Sequence, residues 1–363
     1  MGRTLRQVKN MTIIEILQKA LEMQAADVFL IAGLPVSYKL GGRQIRLEEQ
    51  GRLMPENIQQ LVNEIYELSQ RSRRNVDNGI DDDFSFAMSG LGRFRVNVFR
   101  QRGSLAAVIR VIHFGLPDPE KIGIPESVLS LADIKKGLVL ITGAAGSGKS
   151  TTLACIVDRI NGSRVGHIIT MEDPIEYIHR HKKSIVTQRE ISIDTPNYLD
   201  SLRSALRESP DVILLGEMRD YETISAAMTA AETGVLLLST LHTSSASNTI
   251  SRILDVFPAD QQKQVKIQLA QILKGVVCQQ LVPSVDGTLL PVFEIMKTNP
   301  AIQNMIREDK LHQLESAIQA GAKEGMCTMD NSLLKLYKDG RISRDTALIY
   351  CVNYENMLKR LAL

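Results

Sequence analysis

One octapeptide restricts this chain more than any other stretch: Gly143-Ala144-Ala145-Gly146-Ser147-Gly148-Lys149-Ser150. It fits the phosphate-loop pattern G-x-x-x-x-G-K-[ST] at every fixed position. Ahead of it, Leu138-Val139-Leu140-Ile141 has the length and composition of a buried parallel strand. Behind it, Leu153, Ile156, Val157 and Ile160 recur at helical spacing, and Asn161-Gly162 is the expected C-terminal cap of that helix. Strand, glycine loop and helix N-terminus thus come in the order that binds phosphate. The loop lets backbone N–H groups curl around phosphate oxygens, and the helix end adds partial positive charge. The expected ligands are ATP and Mg²⁺, held by Gly143 through Ser150 and by Thr151. Lys149 is placed to reach the β- and γ-phosphates, and the Ser150 hydroxyl to ligate the metal.

The rest of the composition narrows the class. At 363 residues, with 44% apolar and 23% charged residues, the chain reads as a globular protein of two or three domains. A net charge of +2 without a dense basic block gives no sign of a nucleic-acid partner, and with Trp absent and aromatics at 4% a base-stacking platform is not expected. No apolar run reaches the ~18 residues of a membrane span, and no signal peptide opens the chain. Cys155, Cys278, Cys327 and Cys351 are scattered without a C-x-x-C pair, so zinc is not expected and a cytoplasmic setting is.

Along the chain, residues 1–112 read as a small α+β domain. Ile13, Ile16, Leu17, Ala20 and Leu21 share a helix face; strands are expected at Asp27 to Ala32 and on both sides of a Gly41-Gly42 turn; Pro55 opens a second helix. Three more strands follow: Phe84 to Met88, Arg93 to Arg100 and Leu105 to Ile112. A hairpin symmetric about Arg102-Gly103 sets Arg95 directly opposite Arg110. Two like charges so placed are unfavourable unless something negative lies between them. Gly115-Leu116-Pro117-Asp118-Pro119 breaks the pattern, so residues 113–130 are expected to be a linker, and residues 131–363 an α/β domain with a helical C-terminal part. Within it Val265, Leu269, Ile272, Leu273, Val276 and Val277 predict one long helix. Val285 to Thr288 predicts a hairpin turn, and Asn299-Pro300 a helix start.

Four apolar strands of this second domain each end in polar residues. Leu138–Thr142 runs into the phosphate loop, His167–Met171 into Glu172-Asp173-Pro174-Ile175-Glu176, Val212–Leu215 into Gly216-Glu217, and Val235–Ser239 into Thr240-Leu241-His242-Thr243. Ligands of open α/β sheets bind at the carboxyl ends of the strands. Glu217 stands where a Walker B acid stands, but as Glu after a glycine, which suggests contact with Mg²⁺ through water. Glu172, Asp173 and Glu176 are the candidates for a general base. His242 is either a core histidine or a group that hydrogen-bonds the γ-phosphate and reports its loss.

These motifs resemble the secretion ATPase superfamily, and within it the PilT-type retraction ATPases of type IV pili. Gly143–Ser150 is similar to the Walker A box, Ile169–Glu176 to the Asp box, Leu214–Asp220 to the Walker B box and Thr240–Thr243 to the His box. The resemblance implies a RecA-like ATPase domain preceded by a PAS-like α+β domain. It implies Glu176 as general base and Glu217 as the acid holding Mg²⁺ through water, with His242 catalytic. Arg95 and Arg110 match arginines that reach the nucleotide across a subunit boundary. The implied assembly is a cytoplasmic homohexamer working on an inner-membrane pilus platform protein, in which hydrolysis changes the angle between domains. Ala301-Ile302-Gln303-Asn304-Met305-Ile306-Arg307-Glu308 is close to the AIRNLIRE element of retraction motors, with Gln for Arg and Met for Leu. The extra N-terminal domain and four-cysteine insert of extension motors are not expected. The alternatives are an accessory, extension or secretion ATPase of the same superfamily, a RecA-type nucleic-acid motor, or a regulator that binds nucleotide without turning it over.

Overall fold

Strands that alternate and strands that are apolar throughout lie in separate parts of this sequence, and they build separate sheets. The structure, a computed structural model, describes residues 11–40, 43–47, 51–88, 90–112 and 115–362. It divides into two units, Met1–Gly115 and Leu116–Leu363. Among the described residues, no helix is long and apolar enough to cross a membrane.

In the first unit, β1 (Asp27–Leu30), β2 (Ser37–Leu40), β3 (Arg43–Arg46), β4 (Asp82–Met88), β5 (Gly92–Gln101) and β6 (Ser104–Ile112) form an antiparallel sheet in the order β3-β2-β1-β6-β5-β4. Helices α1 (Ile13–Glu22) and α2 (Pro55–Ser69) bury Ile16, Leu17, Ile58 and Ile65 against Phe94, Val96 and Val98 of β5. A third, α3 (Arg74–Asp77), is a single turn. The α1 start is fixed reciprocally: the Glu15 N–H donates to the Thr12 hydroxyl, and the Thr12 N–H to the Glu15 carboxylate. The Gly41-Gly42 turn lies outside the described residues, but β2 and β3 on either side of it pair antiparallel. Between β5 and β6, Arg102 and Gly103 both have positive φ, +47° and +80°, as a tight two-residue turn requires. Arg95 is accordingly the cross-strand partner of Arg110.

The second unit begins earlier than the expected end of a linker at residue 130. From Leu116 on, the segment belongs to this unit, and Ile124, Val128 and Leu129 of it are buried with Val139, Ile156 and Ile160. A short α4 (Glu126–Leu129) forms there. Glycines and prolines do punctuate this stretch, but the apolar residues among them have a core to enter. His113 and Phe114 lie outside the described residues.

Its sheet contains β7 (Gly137–Thr142), β8 (His167–Glu172), β9 (Ile185–Glu190), β10 (Val212–Leu215), β11 (Leu236–Leu241), β12 (Leu273–Pro283) and β13 (Leu289–Lys297), in the order β13-β12-β7-β11-β10-β8-β9. All pairings are parallel except that of β12 with β13. Every residue of β7, β10 and β11 is buried. Leu138 and Leu140 enter the apolar cluster on one face, Val139 and Ile141 the cluster on the other. Each such aliphatic side chain stabilises the fold by roughly 1.5–3 kcal/mol, which commits the strand interiors to packing alone. Helices α5 (Lys149–Ser163), α6 (Tyr198–Ala205), α7 (Tyr221–Glu232), α8 (Ala246–Asp255) and α9 (Gln262–Ile272) connect or cover the strands, and five more follow from Pro300–Arg307 to Tyr354–Arg360. The Asn299 side chain accepts from the Ile302 N–H and caps the first of those, which buries Ile302 and Ile306.

Two sequence expectations are corrected here. The helix expected to run through Val277 stops at Ile272, and Leu273 to Val277 belong to β12. Its apolar residues satisfy helical spacing by coincidence, whereas Gly275 and the paired valines suit a strand beside β7. Asn161-Gly162 does not end α5 either. Asn161 is fully buried, its amide donating to the Arg180 carbonyl and its side-chain oxygen accepting from the Lys182 N–H, so it serves tertiary structure rather than a cap.

Candidate active site at the carboxyl edge of the parallel sheet

Because β7, β11, β10 and β8 are neighbours in that order, their carboxyl ends lie side by side. There the chain forms a cleft of about 330 Å³ whose walls include Lys149, Ser150, Glu176, Glu217, Arg219 and His242. The four polar endings anticipated from the sequence thus meet in one place. Ala145 and Gly146 of the loop tip line it too, and Ala144 is exposed beside them.

The phosphate loop is closed on itself. Lys149 Nζ donates to the carbonyls of Gly143 and Ala144, at 2.9 and 2.8 Å. Burial lowers the Lys149 pKa, while Glu217 and Glu176 act in the opposite direction, so this ammonium lies in the field of both acids. α5 starts at Lys149 with no acid in its first turn, and the N–H groups of Lys149, Ser150 and Thr151 have no acceptor within the helix. Ser147 is buried, and its hydroxyl has no hydrogen-bond partner. Unpaired donors, a mobile cation and no nearby anion in the helix start are what a polyphosphate needs. The Thr151 hydroxyl is instead engaged with Tyr177 Oη at 2.9 Å, tying α5 to the segment that follows Glu176.

The acids separate into three environments. Glu217, with only 13% of its side chain exposed, contacts Arg219 Nη2 at 2.5 Å and His242 Nε2 at 3.5 Å. Glu176 is exposed to the cleft. Glu172 accepts from the Thr170 hydroxyl at 2.7 Å and the Gln188 amide at 3.3 Å. Burial pushes its pKa up to about 7; the two hydrogen bonds oppose that, and Glu176 and Glu190 reinforce it.

Backbone contacts hold these groups. Gly216 N–H donates to the Met171 carbonyl, and the hydroxyls of Ser239 and Thr240 donate to the carbonyls of Leu215 and Gly216. A Cβ at Gly216 would stand 2.8 Å from Tyr198 Oη and 3.1 Å from the Met171 carbonyl oxygen. That close approach explains why a glycine separates the strand from its acid. Tyr198 and Arg219 line the cleft but were not singled out from the sequence. Arg219 had a signal, two residues beyond Glu217, whereas Tyr198 comes from α6 and had none.

Arg95 and Arg110 belong to the first unit. They are side by side on its sheet, but the negative charge that their juxtaposition calls for is already present. Asp83 of β4 takes Arg95 in a two-pronged pair at 3.0 and 2.6 Å, and Asp27 of β1 accepts from Arg110 Nε at 3.1 Å. Asp27 also meets Lys39 at 3.7 Å. The cross-strand geometry therefore does not by itself demand a nucleotide.

The sequence pattern of the family described as type II/IV secretion system protein matches residues 5–300. The chain is 44% identical over 338 residues to the type IV pilus retraction ATPase PilT of Pseudomonas aeruginosa, spanning 93% of this chain and 97% of that protein. It is 39% identical over 337 residues to the type IV pilus ATPase PilU of the same bacterium, spanning 93% and 87%. A crystal structure of the pilus retraction motor PilT with bound ADP is similar at a TM-score of 0.89 and 45% identity, covering 96% of this chain and 99% of that one. With its phosphate loop, paired acids and histidine assembled at one sheet edge, and a likeness that runs nearly end to end, the chain belongs to the type II/IV secretion system protein family and is one of its ATPases.

Proposed function

We propose that this chain is the subunit of a hexameric motor that hydrolyses ATP to retract type IV pili. The observation that carries this reading is that all four polar strand ends open into one cleft, in a chain 44% identical to a retraction ATPase over 93% of its length. Lys149 exchanges the loop carbonyls for the β- and γ-phosphates. Ser150 and, through water, Glu217 would hold Mg²⁺, which would supply positive charge to the phosphoryl oxygens. Glu176, open to the cleft, takes the proton of the attacking water. His242, next to Glu217, reads the loss of the γ-phosphate.

Arg95 and Arg110 are assigned to the nucleotide of a neighbouring subunit, which requires Arg95 to leave Asp83 and Arg110 to leave Asp27. The half-exposed Arg95–Asp83 pair contributes about 0.2–1 kcal/mol, whereas Arg110 pairs with a buried carboxylate, for which losing every partner would cost about 3–5 kcal/mol. An arginine supplied in trans contributes ~10³–10⁵ in rate, roughly 4–7 kcal/mol of barrier. The exchange is favourable by magnitude, and Lys39 remains beside the buried Asp27 when Arg110 departs. The ring works at the cytoplasmic face of the inner membrane on a pilus platform protein. Deleting the gene in a piliated cell is expected to leave more surface pili and abolish twitching; loss of pili would assign the chain to extension instead.

A further inference from the structure

Outside the four motifs, one residue meets the phosphate loop at both of its ends. Gln279 lies on β12, whose register sets Cys278 beside Thr142 and so Gln279 beside Gly143. It is 3% exposed, among the buried Val276, Val277, Cys278 and Val282 of that strand, whereas the neighbouring Gln280 is half-buried. Its peptide carbonyl oxygen stands 2.2 Å from where a Cβ on Gly143 would be, at the loop's entry. Its side-chain Nε2 stands 2.8 Å from where a Cβ on Gly148 would be, at the loop's exit. Its Oε1 accepts a 2.7 Å hydrogen bond from the hydroxyl of Thr152, a fully buried residue in the first turn of α5.

Gly143, Gly146 and Gly148 all have positive φ, so the loop's backbone has little intrinsic preference for the curve it adopts. A phosphate site needs that curve fixed before the ligand arrives, because each N–H that must be ordered on binding costs affinity. The restraint has to come from outside the loop, and an amide buried in a strand and matched to a buried hydroxyl supplies it. We propose that Gln279 is a positioning residue for the ATPase reaction. Through Thr152 and the two glycine contacts it holds the loop N–H groups in their anion-binding arrangement, without touching the nucleotide. The inference rests on the phosphate loop's being the nucleotide site.

The test uses the full-length protein and titrates ADP by fluorescence, with steady-state ATP hydrolysis and nucleotide-free thermal unfolding measured alongside. Gln279→Met keeps the length of the side chain and removes the amide. It is expected to weaken ADP binding by about tenfold and to raise the KM for ATP similarly, while kcat moves by less than about threefold. Thr152→Val should reproduce that loss, Thr152→Ser should recover most of it, and the double variant Gln279→Met, Thr152→Val should lose little more than either single one. The Thr152 pair decides the matter if Gln279→Met does not fold. Binding within about twofold of wild type in both Gln279→Met and Thr152→Val overturns the proposal, as does a Thr152→Ser variant as weak as Thr152→Val, or a loss confined to kcat. Lys149→Ala is the control. If it loses ADP while Gln279→Met does not, only the clamp falls; if it binds ADP like wild type, the loop is not the nucleotide site and the clamp falls with it.

Discussion

The two sheets hide their apolar residues differently, and the charged groups end up in different situations as a result. In the second unit the central strands are buried on both faces, so no charge is tolerated within β7, β10 or β11. Charged residues can appear only where the strands stop, and Lys149, Glu176, Glu217 and His242 are gathered there into one cleft. In the first unit β5 alternates buried and half-buried positions, and its polar face carries Arg93, Arg95 and Asn97. Charges spread along such a face find partners across the strands, as Arg95 finds Asp83 and Arg110 finds Asp27. A charge at the edge of a parallel sheet therefore points to a function by position alone. A charge on an antiparallel face does so only when its neighbours leave it unsatisfied, and here they do not.

The sharpest way to separate the two regions is to remove one cation from each. Lys149→Ala should abolish turnover and greatly weaken ATP binding, because the loop loses its only mobile cation beside the β- and γ-phosphates. A phosphate-release assay checks this, and turnover near the wild-type rate would remove the phosphate loop from the reaction.

The first unit is tested by Arg95→Ala combined with Arg110→Ala. The Arg95–Asp83 pair is worth about 0.2–1 kcal/mol, but Arg110→Ala leaves the buried Asp27 carboxylate to Lys39, so the thermal midpoint should fall by several degrees. If both arginines reach a neighbour's nucleotide, ATP binding should persist and hydrolysis should fall by ~10³-fold or more. Mixing this variant with Lys149→Ala under subunit exchange should then restore part of the activity, since some interfaces join an intact loop to intact arginines. Mixed rings that form and stay inactive would confine the arginines to the pairs with Asp83 and Asp27.

Among the acids of the cleft, Glu176→Gln is expected to bind ATP normally and to turn over ~10²-fold more slowly or worse, the usual contribution of a general base. Glu172→Gln should affect turnover much less, because that carboxyl is already committed to Thr170 and Gln188. The reverse order in single-turnover measurements would move the base to Glu172.

Much of this architecture was legible, for local reasons. The phosphate loop and the four strand endings are short patterns with fixed spacing, and parallel burial makes the strands uniformly apolar. The facing of Arg95 by Arg110 followed from a two-residue turn. What could not be read joins residues far apart in sequence. Asp27 meets Arg110 across 83 positions, and Gln279 meets Thr152 across 127. β12 was misread because its apolar residues fit a helical period, and only its place beside β7 distinguishes the two. Asn161 reads as a cap in the sequence because the exposed loop at Arg180 to Lys182 that it anchors lies 19 to 21 residues away.

The smallest expected effect concerns pH and compares the half-buried Glu172 with the buried His179 of the second unit. Glu172 has its pKa raised from 4.5 to about 7, mainly by burial. Its neutral form is the one the fold favours, so its contribution is full below about pH 4.5 and is lost as pH rises through about 7. His179 has its pKa lowered from 6.5 to about 4, again mainly by burial. Its neutral form is likewise favoured, so its contribution is present above about pH 6.5 and is lost as pH falls through about 4. The two slopes oppose each other between those limits, and the wild-type protein should change stability little across that window on their account. Glu172→Gln removes the falling slope, so its stability relative to wild type should climb from pH 5 to pH 8 by on the order of 2 kcal/mol. His179→Asn removes the rising slope, and its stability relative to wild type should instead climb as pH drops from 6 to 4. Thermal midpoints of the three proteins over that range decide it. Parallel curves would mean that neither group changes its protonation differently on folding, and that the carboxylate at Glu172 stays charged beside Glu176 throughout.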